Sequence, residues 1–225
     1  MDAIADFGLP ALKDSIASKV VFGISFFFAF LNGILIIVAL AAWSENTDTL
    51  QNTAWATVTI GSITQYVGLR GFATSNGNYQ DFSSISSVDP IINDCQNAGE
   101  AALGLLLVGG FFAGIMTIGL IARAFSDSGL VKTVNVLAGF FVMIFLVAAF
   151  GNWHNMCYSN FDTSKSPSGT KLELYAGFGS VVSAWVFYLF IFAFNLITPV
   201  NRGEGVVSDS TRENQNFDPK TPTTI

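Results

Sequence analysis

Two side chains in the second half of the chain have the types needed for covalent catalysis. His154 is the only histidine, and Cys157, one of two cysteines, follows three residues later. An imidazole beside a thiol can act as the base that generates a nucleophilic thiolate. No obvious partner is placed to orient the imidazole, so a polar helix end is the better interpretation. Catalysis is the less favoured alternative.

The other residue patterns argue against cofactor and nucleic-acid functions. One histidine and two cysteines cannot supply an ordinary zinc or haem site. The chain has no Walker-type glycine loop and no Gly-x-Ser-x-Gly nucleophile elbow. It is net acidic, at -6, and has no basic patch for nucleic acid. We therefore expect no cofactor, no metal and no enzymatic activity.

The composition is that of a membrane protein. Hydrophobic residues make up 51% of the chain and charged residues 12%, against about 25% charged residues in soluble domains. A membrane-spanning helix needs about 20 apolar residues. Four such runs predict spans at about 20–43, 101–122, 130–153 and 174–198. The predicted fold is a four-helix transmembrane bundle in the lipid bilayer.

The polar segments divide the rest of the chain. Residues 1–19 form a polar segment without the features of a signal peptide. Residues 20–199 form the four-span domain, with a long loop at 44–100 and a short one at 154–173. The polar tail, 200–225, cannot bury a core and is predicted to be disordered.

The basic residues predict the orientation, because they concentrate on the cytoplasmic side of membrane proteins. Seven of the ten Lys and Arg residues lie in the N-terminal segment, the short basic link 123–132 and the tail. Both termini are therefore predicted to be cytoplasmic, and the two loops extracellular, in the plasma membrane. No Asp, Glu, Lys, Arg or His is expected in a membrane interior, which argues against transporters and proton pumps.

The outer loops carry the two cysteines and strand-like patterns. Cys95 and Cys157 fall on the outer side, where disulfides persist, and a bridge between them is preferred over two free thiols. Runs at 53–60, 62–72 and 78–84 have strand character, and Asn76-Gly77 is a strong hairpin signal. We expect a small extracellular antiparallel sheet built from the first loop.

Small residues four apart predict the faces where membrane helices approach closely. These residues are Ala29 and Gly33 in the first span, Gly110 and Gly114 in the second, and Ala176, Ser180 and Ala184 in the fourth. Packing within the bundle is the preferred interpretation, and contact with a second protein is the alternative. Asn32, near the middle of the first span, is expected to hydrogen-bond another helix.

Short motifs at three places match landmarks of a known family. They are Gly68, Leu69 and Arg70 in the first loop, Trp153 and Phe161 around the exit of the third span, and Glu173, Tyr175 and Gly177 at the start of the fourth. Together with the loop pattern they resemble the claudin/PMP22/EMP superfamily, which includes stargazin-like subunits. Trp153 and Tyr158 are also expected at the level of lipid headgroups.

The chain departs from that family at two points. Arg70 stands where the family signature has tryptophan, and only Cys95 lies in the first loop, where the family has a cysteine pair. A divergent member or a Sur7-like relative fits better than a vertebrate claudin. The resemblance implies a structural role in cell–cell contacts or plasma-membrane domains. The alternative is an auxiliary subunit of an ion channel or receptor, bound to that larger membrane protein.

The last residues suggest a cytoplasmic partner. Thr223, Thr224 and Ile225 fit the Thr-x-hydrophobic carboxyl end that PDZ domains bind by strand addition and carboxylate capture. We expect a PDZ scaffold as a further partner.

Overall fold

The computed structural model describes residues 16–86, 89–125, 128–160 and 170–200. In chain order the elements are α1 (Ile16–Ala41), α2 (Thr47–Thr53), β1 (Ala56–Ile60), β2 (Ile63–Val67), β3 (Gly71–Thr74), β4 (Tyr79–Asp81), a 3-10 turn (Phe82–Ser84), α3 (Pro90–Phe125), α4 (Gly129–Trp153), a π-helical turn (His154–Tyr158), β5 (Thr170–Leu174) and α5 (Ala176–Ile197).

Four helices in the described residues, α1, α3, α4 and α5, are long and apolar enough to cross a membrane. They pack as a bundle whose interior holds fully buried side chains such as Met116, Leu146 and Ile191. Large apolar side chains also point outward, including Phe30, which is 66% exposed, and Ile118, which is 68% exposed. Helices that are apolar on every side suit a lipid environment, so the predicted four spans agree with the fold.

The helix α3 begins at Pro90, well before the apolar run 101–122. Asp89 accepts a hydrogen bond from the backbone N–H of Ile91 at 2.9 Å, and proline suits the first helical turn because its missing N–H needs no partner there. With 36 residues, α3 is about 54 Å long at 1.5 Å per residue. A hydrocarbon core is about 30 Å thick, so the first turns of α3 extend beyond it.

All the strands pair antiparallel in one sheet of order β4-β3-β2-β1-β5. Asn76-Gly77 makes the predicted hairpin between β3 and β4, with Gly77 at φ 83°. The expectation that the first loop alone builds the sheet is wrong. β5 comes from the second loop and pairs with β1, placing Leu174 opposite Ala56. We call the end of the bundle that carries the sheet the outer end, and the opposite end the inner end.

Two strand predictions need correction. Residues 53–60 do not form one strand, because Thr47–Thr53 is a helix whose first turn is capped by Asn46, the acceptor from the N–H of Thr49 at 3.0 Å. The run 62–72 is two strands, separated by a turn at 68–70.

The basic link 123–132 also differs from expectation. Arg123 lies on α3 and is buried, with its Nη1 donating to Oδ1 of Asn195 at 3.0 Å. Lys132 lies on α4 and is fully buried. Two cations are therefore enclosed at the inner end of the bundle rather than exposed in a loop.

Candidate functional site

A disulfide joins Cys95 on α3 to Cys157 in the π-helical turn, with 4.4 Å between the Cα atoms. Both side chains are fully buried, and the predicted bridge is confirmed. The ring of His154 stacks on Tyr158, with 5.1 Å between centroids. Because the Cys157 sulfur is bonded to Cys95, it is not a thiol that His154 could activate.

Two tryptophans attach the sheet to the bundle. Trp153 is fully buried at the end of α4, and its ring lies 5.2 Å from that of Trp55, which is also fully buried. The Nε1–H of Trp55 donates to the carbonyl oxygen of Ala39 on α1 at 3.1 Å. The ring of Trp55 from the first loop covers Trp153, so this side chain packs inside the protein, and its position at the headgroup level stays a prediction. Tyr158 is half-buried.

The turn Gly68-Leu69-Arg70 connects α1, α3 and the sheet. The N–H of Leu69 donates to the carbonyl oxygen of Ala42 at 3.0 Å, and the Leu69 side chain is fully buried. A Cβ on Gly68 would collide with the Ala42 carbonyl oxygen, and a Cβ on Gly99 of α3 would collide with that of Leu69. These residues therefore bring three backbones together. No local sequence pattern indicates the role of Gly99, because that role depends on a distant turn.

Arg70 bridges two acidic side chains above this turn. Its Nη1 lies 2.5 Å from Glu45 Oε1 and its Nε 2.7 Å from Asp81 Oδ2. The guanidinium carbon is 5.8 Å from the centroid of the Trp43 ring. Burial opposes ionisation of Asp81, but hydrogen bonds from Ser83 and the charge of Arg70 outweigh it and lower the pKa of Asp81.

Tyr79 lies beside this ion pair. Burial, reinforced by the charge of Asp81, raises the pKa of Tyr79 to about 12. Its hydroxyl is buried with no hydrogen-bond partner among the described residues. A Cβ on Gly71 would collide with the backbone carbonyl oxygen of Gln80 as well as with the Tyr79 side chain, so glycine is needed where the two strands meet.

The motif residues before and in α5 hold the second loop against the first. Glu173 lies in β5. The N–H of Tyr175 donates to the Trp55 carbonyl at 2.9 Å. A Cβ on Gly177 would collide with the carbonyl oxygen of Thr53. The matched residues are therefore structural contacts between the loops and the bundle.

The hairpin between β1 and β2 presents an apolar pair at its tip. Ile60 and Ile63 are cross-strand partners, each 45% exposed. They flank the turn at Gly61, which has φ 61°. Ala56, at the other end of β1, is buried beside the bundle. The strand β1 has five residues that rise about 3.3 Å each, so the isoleucine pair at its other end lies away from the bundle.

The small residues of α5 occupy different environments. Ala184 is fully buried and Ala176 is exposed. Ser180 donates to the Ala176 carbonyl oxygen within its own helix at 2.8 Å. Of the three residues, Ala184 alone lies in the bundle interior.

The small residues of α1 and α3 line one groove of about 550 Å³, which we call the α1–α3 groove. Ala29 is buried, and a Cβ on Gly110 would lie 3.9 Å from Ile36. A Cβ on Gly33 or Gly114 would have no heavy atom outside its own helix backbone and chain neighbours within 4 Å. The small residues of α1 and α3 therefore do share one face, but the space beside Gly33 and Gly114 is open.

Asn32 is fully buried on α1, but it does not make the expected hydrogen bond. Neither atom of its amide has a partner among the described residues. This interhelical bond was predicted and is not formed.

Phe161 and the carboxyl-terminal Thr223, Thr224 and Ile225 lie outside the described residues, so the PDZ motif stays a prediction. No family model matches the chain, and no curated protein matches its sequence. The likeness to claudins therefore stays an expectation based on short sequence motifs and the loop pattern.

Proposed function

We propose that this chain is a claudin-like multi-pass protein of the plasma membrane with a structural role in cell–cell contacts or membrane-domain organisation. The outer sheet is its contact surface. The observation that carries this proposal is the exposed Ile60–Ile63 pair at the tip of a sheet fixed to the bundle.

An exposed apolar pair of this kind favours association. Burying apolar surface stabilises a contact by about 25 cal/mol per Å², and a pre-organised surface loses little conformational entropy on binding. The disulfide and the Trp55–Trp153 contact pre-organise this surface where the sheet meets the bundle. The same disulfide supports an extracellular sheet, because disulfides persist in oxidising compartments.

Localisation in paired cells tests the proposal. Tagged full-length protein should concentrate where two expressing cells touch, and the double variant Ile60→Ser with Ile63→Ser should spread evenly. Leu174→Ser is the matched control, since Leu174 is 41% exposed but lies at the bundle end of β5. Even spreading of the unmodified protein would refute the proposal. Equal loss of concentration at cell contacts in the Leu174→Ser control would also refute it.

The second candidate is an auxiliary subunit of a channel or receptor. The open α1–α3 groove favours it, because a partner could be held inside the membrane there. Stoichiometric recovery of the full-length protein with a channel, undiminished by the two serine substitutions at the hairpin tip, would support this role over the first.

A cytoplasmic PDZ scaffold is a further proposed partner, based on Thr223, Thr224 and Ile225. Capture needs a free carboxylate at the last residue. One alanine appended after Ile225 should abolish binding to a PDZ domain in a pull-down, and unchanged binding would contradict the proposal.

A further inference from the structure

A cavity at the outer end of the bundle has the size and lining of a binding site for a small charged group. Its volume is about 270 Å³, below the range of about 300–1,000 Å³ that is usual for drug-sized ligands. We call it the outer cavity. It is lined by Trp43, Leu69, Arg70, Asp81, Ser83, Gln96 and Glu100. Ser83 and Glu100 are exposed, so the cavity is open to the outside.

The charges around the outer cavity are unequal. Arg70 pairs with both Asp81 and Glu45, so one guanidinium serves two carboxylates. The third carboxylate, that of Glu100, accepts a hydrogen bond from Nε2 of Gln96 at 3.1 Å but forms no ion pair with any described residue. The cavity therefore attracts a positively charged group, and Glu100 is the side chain that this group would meet.

The lining favours a primary ammonium over other cations. Such a group has three N–H donors, and the lining offers three acceptors to them: the Glu100 carboxylate, the Gln96 amide oxygen and the Ser83 hydroxyl oxygen. A quaternary ammonium is recognised by aromatic faces, but Trp43 is the one aromatic residue of the lining, and the Arg70 guanidinium already lies 5.8 Å from its centroid. No cluster of three His, Cys, Asp or Glu side chains that could hold a metal ion is found in the described part of the chain.

The cavity also offers donors to an anionic group beside the ammonium. Arg70 uses Nη1 for Glu45 and Nε for Asp81, and its Nη2 has no partner among the described residues. The N–H groups of a guanidinium match the geometry of phosphate oxygens. A ligand that carries an ammonium and a phosphate close together therefore matches Glu100 and Arg70 at once.

The position of the cavity indicates where such a ligand comes from. Trp43 lies two residues after Ala41, the last residue of α1, and Glu100 immediately precedes the charge-free run 101–122 of α3. The cavity is thus level with the outer ends of two apolar segments. In a bilayer, phospholipid headgroups lie at the ends of such segments.

We propose that the outer cavity binds the headgroup of an ethanolamine phospholipid of the outer leaflet. The ammonium of the lipid donates to Glu100, Gln96 and Ser83, and its phosphate accepts from Nη2 of Arg70. The acyl chains remain in the bilayer beside α1 and α3. This inference rests on the membrane placement proposed above but not on the contact role of Ile60 and Ile63.

A series of lipids tests the proposal with purified full-length protein in phosphatidylcholine vesicles. Each vesicle contains a trace of one lipid with a fluorophore on an acyl chain, and energy transfer from the tryptophans of the protein reports binding. The headgroups are ethanolamine, its monomethyl and dimethyl forms, and choline. The ethanolamine lipid should bind about tenfold more tightly than the choline lipid, the effect of one hydrogen bond between charged groups. The preference should decline with each methyl group, because each removes an N–H donor.

A charge-removing substitution locates the site. Glu100→Gln keeps the shape of the side chain and should remove most of the preference for ethanolamine. Glu173→Gln is the matched control, since Glu173 is also exposed at the outer end but lies outside the lining. This control should keep the preference. Formation of the disulfide, seen by non-reducing mobility, verifies that each variant folds.

Four results would overturn the proposal. Equal transfer to the ethanolamine and choline lipids would show that the headgroup is not recognised. Equal loss of preference in Glu100→Gln and Glu173→Gln would place the binding elsewhere. Soluble O-phosphoethanolamine that binds the detergent-solubilised protein as tightly as the lipid does would assign the cavity to a free ligand. Failure of the protein to insert into the vesicles would refute the membrane placement itself, whereas the first three results leave that placement intact.

Discussion

The ring of Trp55 meets that of Trp153 nearly edge to face, with 5.2 Å between centroids and 65° between planes. One tryptophan precedes the first strand and the other ends α4, so the contact joins the sheet to the bundle. Aromatic pairs of this geometry contribute about 0.5–1.5 kcal/mol beyond the area they bury.

Replacing Trp55 by phenylalanine should destabilise the protein by about 2 kcal/mol, because the variant loses a buried hydrogen bond to Ala39 and leaves a cavity. Denaturant unfolding in detergent measures the free energy. Trp185→Phe, at a half-buried ring on α5, is the control and should cost less. Equal losses of unfolding free energy in the two variants would mean that the Trp55 contact has no special role.

Loss of the disulfide should weaken the outer end of the bundle. The bridge closes a separation of 62 residues, for which chain entropy gives about 4 kcal/mol. Cys95→Ser, Cys157→Ser and the double variant should lose similar amounts, since each removes the same bond. Non-reducing mobility of the unmodified protein should differ from all three, and identical mobility would exclude the bridge in solution.

Gly99→Ala should destabilise the protein by about 1–3 kcal/mol, the usual cost of overpacking, because the new Cβ would collide with the Leu69 carbonyl oxygen. Gly104→Ala, on the same helix with open space around it, should be neutral or stabilising by up to about 1 kcal/mol through helix propensity. Melting temperatures of the two variants compare them directly. A stable Gly99→Ala protein would show that this junction can relax.

Stability should fall in alkaline solution through Tyr79. Its pKa is raised from 10.0 to about 12 in the folded protein, so the unfolded chain loses this proton first as pH rises. The contribution of Tyr79 to the free energy of unfolding is complete below pH 10 and is lost between pH 10 and about 12. Tyr79→Phe removes the titrating group, and its unfolding free energy should decline less over that interval. Parallel curves would contradict the prediction.

The sequence predicted the elements that depend on local patterns. Long apolar runs predicted the four helices, Asn76-Gly77 predicted a hairpin because both residues tolerate positive φ, and the cysteines predicted their bridge. What the sequence could not reveal depends on distant partners. Residues 170–174 become a strand because β1 offers a free edge, and Trp153 is buried because Trp55 covers it.

The small-residue pattern shows the same limit within the long apolar helices. The spacing of Ala29 and Gly33, and of Gly110 and Gly114, predicts a surface that another helix can approach. It does not predict which helix does so. In this protein the two stretches face a common groove and leave it open at Gly33 and Gly114.

The last turns of α1 are completed by the outer sheet. The carbonyl oxygens of Ala39 and Ala42 accept hydrogen bonds from the Trp55 indole and the Leu69 backbone. Hydrogen bonds therefore connect the helical bundle directly to the outer sheet. The sheet is therefore not an independent unit. If it were grafted onto other helices, its donors would lose these carbonyl acceptors. If α1 were separated from the sheet, the two carbonyl oxygens would lose their hydrogen bonds.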